Sequence, residues 1–132
     1  MSTIERDLKI KKYGKGFAML KETLKEIPRK AWKFKPGPND WSIHEIIIHM
    51  ADSETNAALR ARILAAEPGR TLMAYDQDVW AKTLNYHDQD VEDALKIIKL
   101  VRRSTYKWLK TLPDEVFSNT AIHPEYEKPY SF

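Results

Sequence analysis

Four histidines, and one carboxylate set in an apolar stripe, are the residues of this chain best suited to chemistry. His44-Glu45 followed by His49 superficially resembles the zinc helix in which two histidines four residues apart face one ion. Here the spacing is five, so on a helix the two rings diverge by more than a third of a turn and cannot share a metal. Gly14 to Gly16 is too short to cradle a phosphate, and no Gly-x-Ser-x-Gly elbow occurs. The chain has no cysteine, which removes thiolate metal sites, cysteine nucleophiles and disulfides together. A disulfide-free domain of this size fits a reducing compartment, so the expected location is the cytoplasm.

His49 lies on the flank of a helical apolar stripe, with Ser53 and Asn56 on its own face and Asp52 one turn away. Taken alone, a half-buried helical histidine is most often a hydrogen-bonded core residue. Glu54 falls inside the stripe. A carboxylate on an apolar seam must be paired, protonated or metal-bound, because burying it alone is costly. An arginine, lysine or tyrosine from a neighbouring helix is the expected partner.

The helix that carries these residues has a legible start. Ser42 can cap the free amides while Glu45, three residues on, reaches back, with Trp41 packed just before the cap. From there Ile43, Ile47, Met50, Ala57, Ala61 and Leu64 keep a three-four spacing until Pro68-Gly69. The pattern predicts one continuous helix over residues 43–66 with Ile47 and Met50 buried. Upstream, Ile10, Tyr13, Phe17, Leu20, Leu24 and Ile27 predict a first amphipathic helix that Pro28 ends, followed by a turn-rich connection through Pro36-Gly37-Pro38. Downstream, an Asp76 cap opens a short helix through Val79, Trp80 and Leu84, which the polar run Asn85 to Asp90 breaks. Val91, Ala94, Leu95, Ile98, Val101, Thr105, Trp108 and Leu112 then mark a third long helix ending at Pro113. Residues 122–132 show no periodicity and read as loop.

Length and composition fit one globular domain: 132 residues, 42% hydrophobic and 31% charged. The apolar runs are far too short to span a bilayer, so no membrane partner is expected. Net charge is +3, with basic residues concentrated between Lys9 and Lys35 and with Trp32 and Phe34 interleaved among them. That pattern can attract nucleic acid, but a solvated helix face followed by a basic loop with inward aromatics explains it more simply.

The run Trp41-Ser42-Ile43-His44-Glu45-Ile46-Ile47-Ile48-His49-Met50-Ala51-Asp52-Ser53-Glu54, with Asn56, Ala57 and Arg60 after it, resembles the second helix of the DinB-like superfamily. The likeness is to its thiol-transferase and metal-dependent hydrolase branch. It continues through Ala66-Glu67-Pro68, Tyr75-Asp76, Trp80-Ala81, the third long helix and Ile122-His123-Pro124-Glu125, nearly the whole chain. The resemblance implies an all-α, up-down four-helix bundle, often dimeric, with a divalent metal such as zinc or nickel held by three histidines. One of these sits in the second helix and two in an H-x-x-x-H on the last. His49 matches the first ligand. The implied chemistry is activation of a water or thiol by the metal, with a small molecule as substrate. Asp52 and Glu54 are then candidates to orient a ligand or transfer a proton, and Ser53, Asn56 and His123 to line the cleft.

The departure is at the C-terminus. His44, His87 and His123 do not occupy the positions of the other two ligands, and the helix that would carry them does not follow. Either the chain is truncated, or it is a degenerate member that has lost the pair and acts by association. A bundle lacking its last helix would leave an apolar groove between the first and third helices, and a symmetric homodimer is the expected way to cover it.

Overall fold

A computed structural model describes all 132 residues. Helix α1 spans Thr3–Gly14, α2 Gly16–Lys25, α3 Ile43–Ala66, α4 Gln77–Thr83 and α5 Val91–Leu109. Single 3₁₀ turns occupy Arg29–Ala31, Tyr86–Asp88 and Asp114–Ser118, and two short strands, β1 (Thr120–Ala121) and β2 (Tyr130–Ser131), pair antiparallel. The architecture is a helical bundle in which α3 packs along α5, with α1 and α2 laid against α5 from one side. No helix is long and apolar enough to cross a membrane.

Helix α3 begins and ends where its sequence signals fall. The Ser42 side chain accepts a hydrogen bond from the Glu45 amide (3.1 Å), while a Glu45 carboxylate oxygen accepts from the Ser42 amide (3.1 Å). Each bond satisfies a donor that the first turn would otherwise leave free. Glu45 is also paired with Lys35 at 3.2 Å. Burial alone would raise its pKa, but the Ser42 amide and the Lys35 ammonium outweigh burial and hold the carboxyl below the usual value of 4.5.

The first helix departs from the expectation. It starts earlier, at Thr3, under a second capping box from Ser2 and Glu5, and it breaks at Lys15 into α1 and α2. Two glycines flank the break, and neither position has room for a side chain. A Cβ on Gly14 would lie 2.6 Å from the Tyr106 ring, and one on Gly16 would meet the Arg102 guanidinium. The break therefore brings the backbone of the first helix into direct contact with α5.

The core is continuous along the bundle: Leu24, Trp32, Ile47, Ile48, Ala51, Ala81, Tyr86, Ala94 and Ile98. Ile47 is buried as expected, whereas Met50 is only half-buried, on the flank of the stripe. Trp32 points inward, but Phe34 is 69% exposed, so only one of the two loop aromatics joins the core. Helix α5 ends at Leu109, a turn before Leu112, with Thr111 and Leu112 making tighter i→i+3 bonds. Residues 122–132 are mostly turn and irregular chain, as expected, but the segment is tied down at both ends. The Gly69 and Leu72 amides donate to the Thr120 and Ile122 carbonyls, and β2 returns to pair with β1, closing a second small core of Leu64, Leu72 and Ala121 under Tyr130 and Phe132. This closure is non-local, so no run of alternating residues announces it.

Two outcomes follow from these contacts. An exposed helical glycine replaced by alanine ordinarily gains about 1 kcal/mol. Gly14→Ala will instead lose stability, by about 1 kcal/mol or more, because the added methyl overlaps Tyr106; chemical denaturation measures the sign. For Glu45, a pKa lowered on folding means its stabilisation is fully present above 4.5 and is lost as pH falls through the lower folded value. Glu45→Gln will therefore flatten the loss of stability with acid below about pH 4.5 in melting-temperature scans.

Candidate metal centre

Helix α3 carries every polar residue singled out in its stripe, and the structure sends them to two different sides. Glu54 faces the seam with α1 and α5 and is 6% exposed. Its Oε1 accepts from the Tyr13 hydroxyl at 2.6 Å, and its Oε2 accepts from Arg102 Nε at 3.0 Å and Nη2 at 2.8 Å. Arg102 Nη1 in turn donates to the Tyr13 carbonyl at 3.1 Å, and its guanidinium stacks over the Tyr13 ring at 4.2 Å. Burial, and then the hydrogen bond to Glu54, push the Tyr13 phenol far above its ordinary value, so it remains a donor at neutral pH. Both carboxylate oxygens are committed to holding three helices together. Glu54 is five residues from His49, roughly 140° around the helix, and does not share its site.

His49 stands on the other side. Its ring lies edge-on to Trp41, with centroids 5.2 Å apart, and Trp41 also meets Tyr86 edge-on at 6.2 Å. The Tyr86 hydroxyl donates to Asp52 Oδ2 at 2.5 Å. Burial and the hydrogen bond to Asp52 raise the Tyr86 phenol, keeping it protonated. His49, Trp41, Tyr86 and Asp52 thus form one cluster, and within it the Nδ1 of His49 is buried with no hydrogen-bond partner. Most buried polar atoms are paired, and an unpaired one costs about 1–3 kcal/mol. Ser53 is half-buried and Asn56 buried, both on the His49 face.

The other histidines are employed elsewhere. His44 is buried, and its Nε2 is 2.7 Å from the Gln89 carbonyl, which ties α3 to the turn before α5. His87 is exposed. His123 is buried in the C-terminal segment, where it borders a small groove away from the His49 cluster. It is 5% exposed, tilted against Tyr126 at 4.2 Å and stacked with Tyr130 at 6.0 Å, and its Nδ1 accepts from the Glu125 amide at 3.1 Å. It belongs to the C-terminal hairpin.

As a metal centre the cluster fits in one respect and fails in another. The unpartnered imidazole nitrogen is what a ligand position requires. Yet no group of three histidines, aspartates or glutamates converges anywhere in the chain, and catalytic zinc sites ordinarily have three protein ligands. The side chains of residues 1–132 do not by themselves form a site. Tyr86, Trp41, Tyr13 and Arg102 escaped notice as site residues in the sequence. Tyr86 lies in a polar run that carries no sign of a fully buried side chain.

The helical bundle is the architecture of a known superfamily. A family model describing the DinB superfamily matches residues 14–132, and the chain belongs to that superfamily. It is 25% identical over 107 residues to "Putative metal-dependent hydrolase OB0782" of Oceanobacillus iheyensis, covering 81% of this chain and 62% of that protein. It is 24% identical over 85 residues to "Putative metal-dependent hydrolase YfiT" of Bacillus subtilis, covering 64% and 48%. The chain thus spans about half to three-fifths of the length of these curated relatives. The solved structure of YfiT, titled a "probable metal-dependent hydrolase with an unusual four-helix bundle topology", superposes with a TM-score of 0.88. That likeness covers 99% of this chain and 75% of the other at 20% identity, and it establishes the bundle fold.

The contrast between the buried histidines is measurable in the metal-free chain. His49→Phe keeps a ring against Trp41 and removes an unsatisfied nitrogen, so it will be neutral or stabilising by about 1 kcal/mol. His44→Phe strands the Gln89 carbonyl and will cost about 1–2 kcal/mol. A large loss in urea denaturation for His49→Phe would show that its nitrogen is satisfied in solution.

Proposed function

We propose that the chain belongs to a metal-dependent hydrolase in which His49 is one ligand of the metal. The observation that carries this reading is the buried, unpartnered Nδ1 of His49, set against Trp41 and one helical turn from Asp52. Zinc and nickel both accept imidazole nitrogen readily. The names of the relatives supply the reaction class, metal-dependent hydrolysis, and a small molecule is the substrate we propose for it. Transfer of a thiol belongs to the same chemistry, with a thiol in place of water as the nucleophile. Of the two candidate carboxylates, Asp52 and Glu54, Asp52 is the one on the His49 side of α3, and Tyr86 fixes its orientation. Glu54 has no oxygen to spare for proton transfer.

A second reading, a bundle that does not catalyse and acts by association, is favoured by the absence of three converging ligand groups. One titration separates the two. Zinc added to the isotope-labelled chain, followed through the four histidine ring resonances, will shift those of His49 first and saturably. Trp41, edge-on to that ring, will report the same event in its indole signal. If exposed His87 responds before His49, or if no ring responds, the metal reading falls and the association reading replaces it.

A further inference from the structure

Helix α5 borders grooves on more than one side. One of them, about 580 Å³, lies between α2 and α5 and shares no residue with the His49 cluster. That volume is in the range of small-molecule sites, about 300–1,000 Å³. Phe17, Leu24, Trp32 and Leu95 give it an apolar lining. Its polar lining is almost entirely cationic, with Glu92 the single carboxylate.

The ion pairs divide these cations into two sets. Arg29 pairs with Glu92 and lies over the Trp32 ring at 4.2 Å, and Lys25 pairs with Glu22 at 2.8 Å. Lys21 on α2 and Lys96 and Lys99 on α5 line the same groove, and none of the three pairs with a carboxylate. Three uncompensated ammonium groups therefore stand around an apolar floor from both sides. Such a site is complementary to a molecule with an apolar body and an anionic end.

We propose that the α2/α5 groove binds a small, freely soluble amphiphilic carboxylate, its apolar body on Trp32 and Leu95 and its charged end among Lys21, Lys96 and Lys99. Charge decides against a second copy of this chain as the occupant, since each copy would bring the same three cations to the contact and the chain carries a net charge of +3. Shape decides against a bilayer. Trp32 and Leu24 are 6% and 9% exposed, so they lie beneath the rim and do not protrude to insert into lipid.

The test is calorimetric titration of the full chain with sodium dodecanoate below its micellar concentration. Saturable one-to-one binding is expected, about tenfold or more weaker in Lys96→Glu/Lys99→Glu and unchanged in His49→Ala. Both lysines are exposed, so the double variant should retain its fold, and circular dichroism checks that it does. Dodecyltrimethylammonium, with the same chain and the opposite charge, should bind the wild type at least tenfold more weakly than dodecanoate does. Equal binding of the two amphiphiles, no effect of the double charge reversal, or loss of binding in His49→Ala would each overturn the proposal. So would a dimer in sedimentation that Leu95→Glu dissolves, which would make the groove an interface between copies. Retention of the chain on anionic phospholipid vesicles in the presence of saturating dodecanoate would assign the cations to a membrane surface and overturn it too.

Discussion

One buried carboxylate dictates much of this bundle. Glu54 sits where α3 turns toward α1 and α5, and an isolated charge there would be prohibitively costly. Its compensation comes from two other helices at once, a guanidinium from α5 and a phenol from α1. For Arg102 to reach both Glu54 and the Tyr13 carbonyl, the first helix must pass so close that side chains at positions 14 and 16 would collide with α5. The two glycines at the break let the first helix pass that close. Replacing such a pair with apolar residues is often neutral for stability in general, so the net value of the cluster is geometric: it sets where three helices cross.

The arrangement also divides the work of α3. One side is fully satisfied and load-carrying. The other holds an imidazole nitrogen without a partner beside a tyrosine–aspartate hydrogen bond. Proteins keep few unsatisfied polar atoms, and here both buried examples, on His49 and on Arg60, lie on this one helix. Arg60 Nη2 nevertheless donates to the Met73 carbonyl at 2.6 Å, so that side chain pins the 70–75 segment even with Nε unpaired. His49 has no such structural employment. That difference is the physical reason for placing function at His49 and not at the better-connected Glu54, His44 or His123.

Charge on the outer face follows a separate logic. The basic residues between Lys9 and Lys35 are not one patch. Lys35 is drawn to Glu45 at the start of α3, Arg29 is shared between Glu92 and Trp32, and Lys25 is held by Glu22. Of the cations left without a carboxylate, Lys21 is joined by Lys96 and Lys99 from α5 to rim a groove. A linear count of lysines could not separate these roles, because partners on other elements decide which charges are left over.

What the sequence determined by itself is what short-range physics encodes. The Ser42–Glu45 capping box and the three-four periodicity located α3, and Asp76 marked the start of α4. These signals involve atoms three or four residues apart, so a string of letters contains them. The same stripe exposed Glu54 as a charge in need of a partner, and the type of partner followed from electrostatics. Which residue would answer did not. Arg102 is 48 positions away, Tyr13 is 41, and Tyr86 is 34 from the aspartate it holds. The break at Lys15, the burial of Tyr86 and His123, and the hairpin made from an unpatterned tail depend on the same kind of distant approach. Only the tertiary structure decided them, because a hydrogen bond between remote residues is specified by how helices cross in space, and that crossing leaves no period in the chain.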